Sequence, residues 1–156
     1  MRDLRIRRGR LASVLVVVCT GVLGLAFPSV GQAGIGCSNL SLQGGYGFTN
    51  TGVLLQGGAR LDVASGGRLV YDGLGRVSGT GTLSLNGLVI DGTLTGTYNV
   101  NADCTGSDQL TFTPLNPANP LLPPFHDTFV IVDKGLKVRL IDTDPGAVVT
   151  GTADIQ

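Results

Sequence analysis

The sequence predicts an all-β protein, an antiparallel up-and-down barrel of about eight strands. Tight-turn pairs stand between short apolar-rich flanks: Asp72-Gly73-Leu74-Gly75 separates Arg68-Leu69-Val70-Tyr71 from Arg76-Val77-Ser78, and Asn86-Gly87 separates Leu83-Ser84-Leu85 from Leu88-Val89-Ile90. Asn-Gly and Asp-Gly adopt the φ > 0 geometry of hairpin turns with little strain. The flanks also alternate. Leu83 and Leu85 alternate with Thr82 and Ser84, while Leu94, Tyr98 and Val100 alternate with Thr93, Thr95, Thr97 and Asn99. Period two gives a strand one apolar and one hydroxylic face, whereas a helix needs apolar residues three and four apart and is weakened by so many Gly and Thr. Finally, the strand count bears on closure. Seven or eight hairpin-linked strands leave two costly sheet edges unless the sheet closes, and eight strands close around an interior that is filled or holds one small ligand. A two-sheet β-sandwich is the alternative.

Residues 1–33 stand apart from this fold. Arg2, Arg5, Arg7, Arg8 and Arg10 form a basic start, Leu11 to Phe27 an apolar run, and Pro28 breaks it before Gly31-Gln32-Ala33 sets small residues at a cleavage site. That is the pattern of a secretory signal peptide, which leaves one domain over 34–156 and no membrane span after cleavage. An uncleaved anchor is the other reading, because an apolar run of roughly 17 residues is borderline for spanning a bilayer.

In the remaining chain, Gly45 to Gly52 reads as the first strand, with Tyr46 and Phe48 on one face. Val53 to Ser65 reads either as a second strand bulged at Gly57-Gly58 or as an irregular crossing. The stretch Gly66–Asp108 supplies four strands, and Thr105-Gly106-Ser107-Asp108 reads as a turn into Gln109-Leu110-Thr111-Phe112-Thr113. Pro114 to Pro124 holds five of the seven prolines and cannot donate into a ladder, so it is an extended loop, either a lid or a long connection. Asp127 to Val132 forms a strand, Lys134-Gly135 turns into Leu136 to Ile141, and Asp144-Pro145-Gly146 turns into a last strand from Ala147 to about Ile155.

Three cysteines are present, and Cys19 falls inside the leader. Cys37 and Cys104 then read as one disulfide in an exported protein, secreted or periplasmic. Removing the leader also changes the charge. Six of the eleven basic residues and ten of the eleven acidic ones remain, giving −4. A mildly acidic surface without a basic cluster argues against nucleic acid as a partner. The chain has no glutamate and no tryptophan, which narrows both acid–base chemistry and sugar binding on stacked rings.

A cysteine shortly before Gly45-Tyr46-Gly47-Phe48, then Gly67-Arg68-Leu69-Val70-Tyr71-Asp72-Gly73-Leu74-Gly75, Gly96-Thr97-Tyr98-Asn99-Val100-Asn101-Ala102-Asp103-Cys104-Thr105-Gly106-Ser107 and Thr143-Asp144-Pro145-Gly146-Ala147 resemble a group of uncharacterised exported bacterial proteins. These are similar to the allene oxide cyclase and dirigent-like barrels of calycin-type architecture. The resemblance spans nearly the whole domain and implies an eight-stranded barrel. It carries no catalytic residue over, because plant cyclases of that fold are thought to use a buried glutamate and this chain has none. Fold alone does not set function.

The search for chemistry leaves few candidates. His126, the only histidine, stands next to Asp127, but neighbouring strand residues point to opposite faces. It reads as a loop-edge residue. Asp142, Asp144 and Asp154 lack the terminal carboxylate pair of a calcium loop, and no cofactor or metal signature is present. The barrel interior remains. Tyr46, Phe48, Tyr71, Tyr98 and Phe112, with Leu83 and Leu85, either fill it or line a pocket for a small apolar ligand. The leading expectation is a non-catalytic module that binds such a ligand or a partner protein. An alternative is a cyclase- or isomerase-like enzyme, which would need a buried polar residue inside the barrel, with Tyr46, Tyr71, Tyr98 and Asn99 as the candidates. A structural surface protein is the third reading.

Overall fold

A computed structural model describes residues 36–156, and the leader read over 1–33 lies outside the described residues. Eight strands follow a short 3-10 turn at Asn39–Leu42: β1 Gly44–Gln56, β2 Ala59–Tyr71, β3 Arg76–Leu85, β4 Leu88–Val100, β5 Thr105–Pro114, β6 Phe125–Val132, β7 Lys137–Asp142 and β8 Ala147–Ile155. Each pairs antiparallel with its neighbours in sequence order, and β1 pairs with β8 from Tyr46↔Ile155 to Leu54↔Ala147. The sheet is therefore a closed up-and-down barrel, and the sandwich alternative falls away.

Local chemistry explains the turns. Asn86 and Gly87 both have positive φ, 48° and 89°, the requirement of the two-residue turn whose twist matches the strands it joins. Gly57 and Gly58 do the same at 57° and 83°, so the site read as a bulge or crossing is instead a tight hairpin between two thirteen-residue strands. Asp72 organises the β2–β3 turn by accepting the backbone N–H groups of Leu74, Gly75 and Arg76 at 2.7–2.9 Å. The β4–β5 turn lies at Asn101–Cys104, four residues earlier than the sequence suggests. Asp103 holds it by accepting from the Thr105 backbone N–H and hydroxyl. Thr105 to Asp108 is consequently strand, not turn.

The two barrel ends differ. At one end, residues 36–43 cross beneath the β2–β3, β4–β5 and β6–β7 turns. Asn39 Oδ1 accepts the Val100 N–H at 2.8 Å, the Cys37 N–H donates to Ala102 O, and the Cys37–Cys104 disulfide ties the segment down. The bridge closes a loop of 67 residues, for which loop-closure entropy predicts about 4 kcal/mol. Leu42, with no exposed surface, plugs the base within the same buried cluster as Tyr46, Val100, Ile131 and Val138. Above it, Tyr46, Tyr71 and Tyr98 pack edge-to-face, with centroids 5.4 and 5.0 Å apart. Such aromatic pairs add roughly 1 kcal/mol each beyond burial. The opposite end carries the two tight hairpins, the β7–β8 turn and the proline-rich connection 115–124.

Inside the wall, glycines stand where aromatic rings need room. A Cβ on Gly92 would strike the Phe112 ring and the Thr113 carbonyl, and one on Gly106 would strike Phe129 directly across the strand pair. β4 therefore runs unbroken through Asp91-Gly92, where glycine marks packing and not a turn.

Candidate functional site

The half of the barrel away from the disulfide is not filled. A partly enclosed cavity of about 70 Å3 lies there. That space admits several waters or a slender molecule, since one water needs roughly 10–15 Å3. Its wall is mostly apolar: Phe48, Leu69, Leu83, Leu94, Leu110 and Phe112 among others. Leu54, Val63, Leu85, Phe125 and, from the proline-rich connection, Leu122 form its outer part.

Three carboxylates interrupt this wall. Asp108 on β5 stands directly opposite Asp127 on β6, and Asp127 directly opposite Asp142 on β7. All three are buried, with 7%, 6% and 9% of their surface exposed, and all three line the cavity. Like charges facing across strands repel, and an ionised carboxylate in an apolar site loses its hydration. Burial, then the Asp127 charge, pushes Asp108 up to about 8. Burial, then the Asp142 charge, pushes Asp127 up to about 6, while a hydrogen bond from Asp108 works the other way. Burial and mutual repulsion thus make the facing pair resist ionising together. Asp142 is also raised by burial, an effect eased by the Asp144 N–H that it accepts at 2.8 Å.

Two further groups complete the polar part. Tyr71 reaches the cavity, and burial followed by the Asp108 and Asp127 charges raises its phenol, keeping it a neutral donor. Asn50 and Ser65 also line the space. Among the described residues, no hydrogen-bond partner meets Asp108 Oδ1 or Asn50 Oδ1. Asp108 Oδ1 is thus an unpaired acceptor in a nearly buried residue, a state that costs free energy until something donates to it.

Of the residues expected to line a pocket, Phe48, Tyr71 and Phe112 do so, as do Leu83 and Leu85. Tyr46 and Tyr98 do not. They lie on the base side of Tyr71, and their hydroxyls donate away from the cavity to Gly135 O at 2.6 Å and Asn39 O at 3.1 Å. Asn99 faces outward, one position out of phase with Tyr98. The expected filled core and the expected pocket therefore divide the interior between them. Cys37 and Cys104 sit at the base and take no part in the cavity.

His126 also departs from its expected setting. It is the second residue of β6, turned outward, with Nδ1 2.8 Å from Asp144 Oδ1 and its backbone N–H donating to Asp144 Oδ2. Asp144 is thus a cap for His126 as well as a turn residue. Asp154 lies on the outer face near Lys137, so Asp142, Asp144 and Asp154 do not converge. Among the described residues, no three acidic, His or Cys side chains are set to hold a metal ion.

The aspartate row escapes a reading that treats aspartates as turn residues, yet strand parity reveals it. Asp108 is in phase with Leu110 and Phe112, Asp127 with Phe129 and Ile131, and Asp142 with Val138 and Leu140. No protein-family model and no curated protein matches the chain.

Proposed function

We propose that this chain is an exported, non-catalytic barrel that takes one slender, mainly apolar small molecule into its interior. The observation that carries the reading is the contrast between the two halves of the barrel. The base is packed by Leu42 and the tyrosine trio, whereas the other half keeps an apolar-walled space with a few polar groups gathered at one place. That combination is the usual make-up of a small-molecule site. Export is supported by the Cys37–Cys104 bridge, which persists in oxidising compartments, and by the leader pattern over residues 1–33.

One observation favours a second reading, an isomerase- or cyclase-like enzyme. Asp108 and Asp127 face each other in a mostly apolar cavity, where burial raises both carboxyls, and such a pair can set an acid beside a base. Either reading requires occupancy first. Oxidised protein starting at Gly34 is titrated with an environment-sensitive apolar fluorophore and competed with fatty acids and isoprenoids. Saturable one-to-one binding, displaced by part of the panel, supports the proposal. A folded, disulfide-bonded protein that binds neither fluorophore nor competitor refutes it.

A further inference from the structure

We infer that the occupant carries a basic nitrogen: Asp108, Asp127 and Asp142, side by side in the cavity wall, form a recognition site for the ammonium end of a slender alkyl amine. The inference rests on the ligand-holding reading above and names the polar end of the ligand. Three acids share one cavity, yet Arg60, Arg68, Arg76, Lys134, Lys137, Arg139 and His126 are all exposed. No basic side chain among the described residues lines the cavity, although from outside it His126 eases Asp127 and Asp142 by charge and Asp144 opposes that effect. The other polar groups facing the row are the Tyr71 phenol, the Asn50 amide and the Ser65 hydroxyl, all neutral. Asp108 Oδ1 has no hydrogen-bond partner among the described residues although Asp108 is more than nine-tenths buried.

An ammonium group answers each of these features. It brings three N–H donors and a positive charge, and hydrogen bonds to a charged acceptor are about twice as strong as neutral ones. Phe48, Phe112, Phe125 and Tyr71 also line the cavity, and aromatic rings attract organic cations. An inorganic divalent ion fits poorly. It demands six or so oxygens around one point, and the described acids are not grouped to hold a metal. A fatty acid would add a fourth carboxylate to the row. An alcohol could donate to Asp108 but brings no charge.

The test compares octylamine, octan-1-ol and octanoate as competitors of the apolar fluorophore on the oxidised domain, from pH 5 to pH 8. The amine is expected to bind roughly 10-fold or more tighter than the alcohol at pH 8, the difference a charge-assisted hydrogen bond supplies, with octanoate weakest. Its advantage is expected to grow as pH rises and the row ionises. Calorimetry in buffers of differing ionisation enthalpy is expected to show proton release on amine binding. The paired substitution Asp108→Asn with Asp127→Asn keeps the shape, and is expected to lower amine binding to the level of the alcohol, a far larger loss than the alcohol itself shows. Equal binding of amine and alcohol, or a preference that survives the double substitution, overturns the inference while the cavity reading stands. If neither fluorophore nor any competitor binds, the cavity reading fails and the inference falls with it.

Discussion

Replacing Asp108 by asparagine is expected to stabilise the protein, and most strongly at high pH. The folded state raises this carboxyl from 3.8 to about 8. A group whose folded pKa lies above its unfolded value favours folding least when it must ionise. Below about pH 4 the proton is bound in both states and no penalty arises. Between roughly pH 4 and pH 8 the unfolded chain ionises freely while the folded site resists, so stability falls as pH rises. One pH unit inside that window corresponds to about 1.4 kcal/mol, so the penalty reaches about 4 kcal/mol at pH 7 as an upper bound. Asparagine has the same shape, carries no charge, and its amide can donate to Asp127 as the protonated acid does. The assay is urea unfolding of oxidised wild type and variant at intervals from pH 4.5 to pH 8.5. Wild type is expected to lose stability steadily over that range and the variant to lose much less. At pH 7 the variant is expected to melt about 10 °C higher, given the usual dependence of Tm on stability for a domain of this size. A variant less stable than wild type at pH 8, or a wild type that gains stability toward high pH, would refute the account of the aspartate row.

Other substitutions probe the wall and the base separately. Gly92→Ala places a methyl group against the Phe112 ring and Thr113 carbonyl, so it is expected to cost about 1–3 kcal/mol in urea unfolding and to weaken fluorophore binding by pushing Phe112 into the cavity. Cys37→Ser combined with Cys104→Ser is expected to cost about 4 kcal/mol in the same assay. The pair lies at the base, so fluorophore affinity below the melting transition should change little.

The fold was legible because its signals are local. Asn86-Gly87 requires nothing beyond its own φ angles and the alternation on each side, and the same holds for Gly57-Gly58 once two positive-φ glycines are read as a turn. Closure followed from the number of strands. The cavity was legible only in part, because parity tells which residues point inward but not at what height along the barrel they sit. Tyr46 and Tyr98 share the inward face with Phe48 and Phe112, yet they lie at the base, where the 3-10 turn and the β6–β7 turn offer carbonyls for their hydroxyls. The aspartate row was hidden for another reason. Asp108 follows Thr105-Gly106-Ser107, which looks like a turn, but Asn101–Cys104 had already made that turn. Gly106 is there because Phe129 covers it. Composition suggested a loop where packing needed a glycine.

The order of the seams bears on how the barrel is made. Every strand pair but one joins neighbours in sequence, so each hairpin can zip onto the last without closing a long loop. The exception is the seam between β1 and β8, which joins the two ends of the domain. Without Ala147–Ile155, β1 and β7 would each present an unpaired edge and the sheet would stay open. The last nine-residue strand therefore does more than add one ladder to a sheet. By pairing with both β1 and β7 it removes both edges at once and completes the wall that encloses the acidic row.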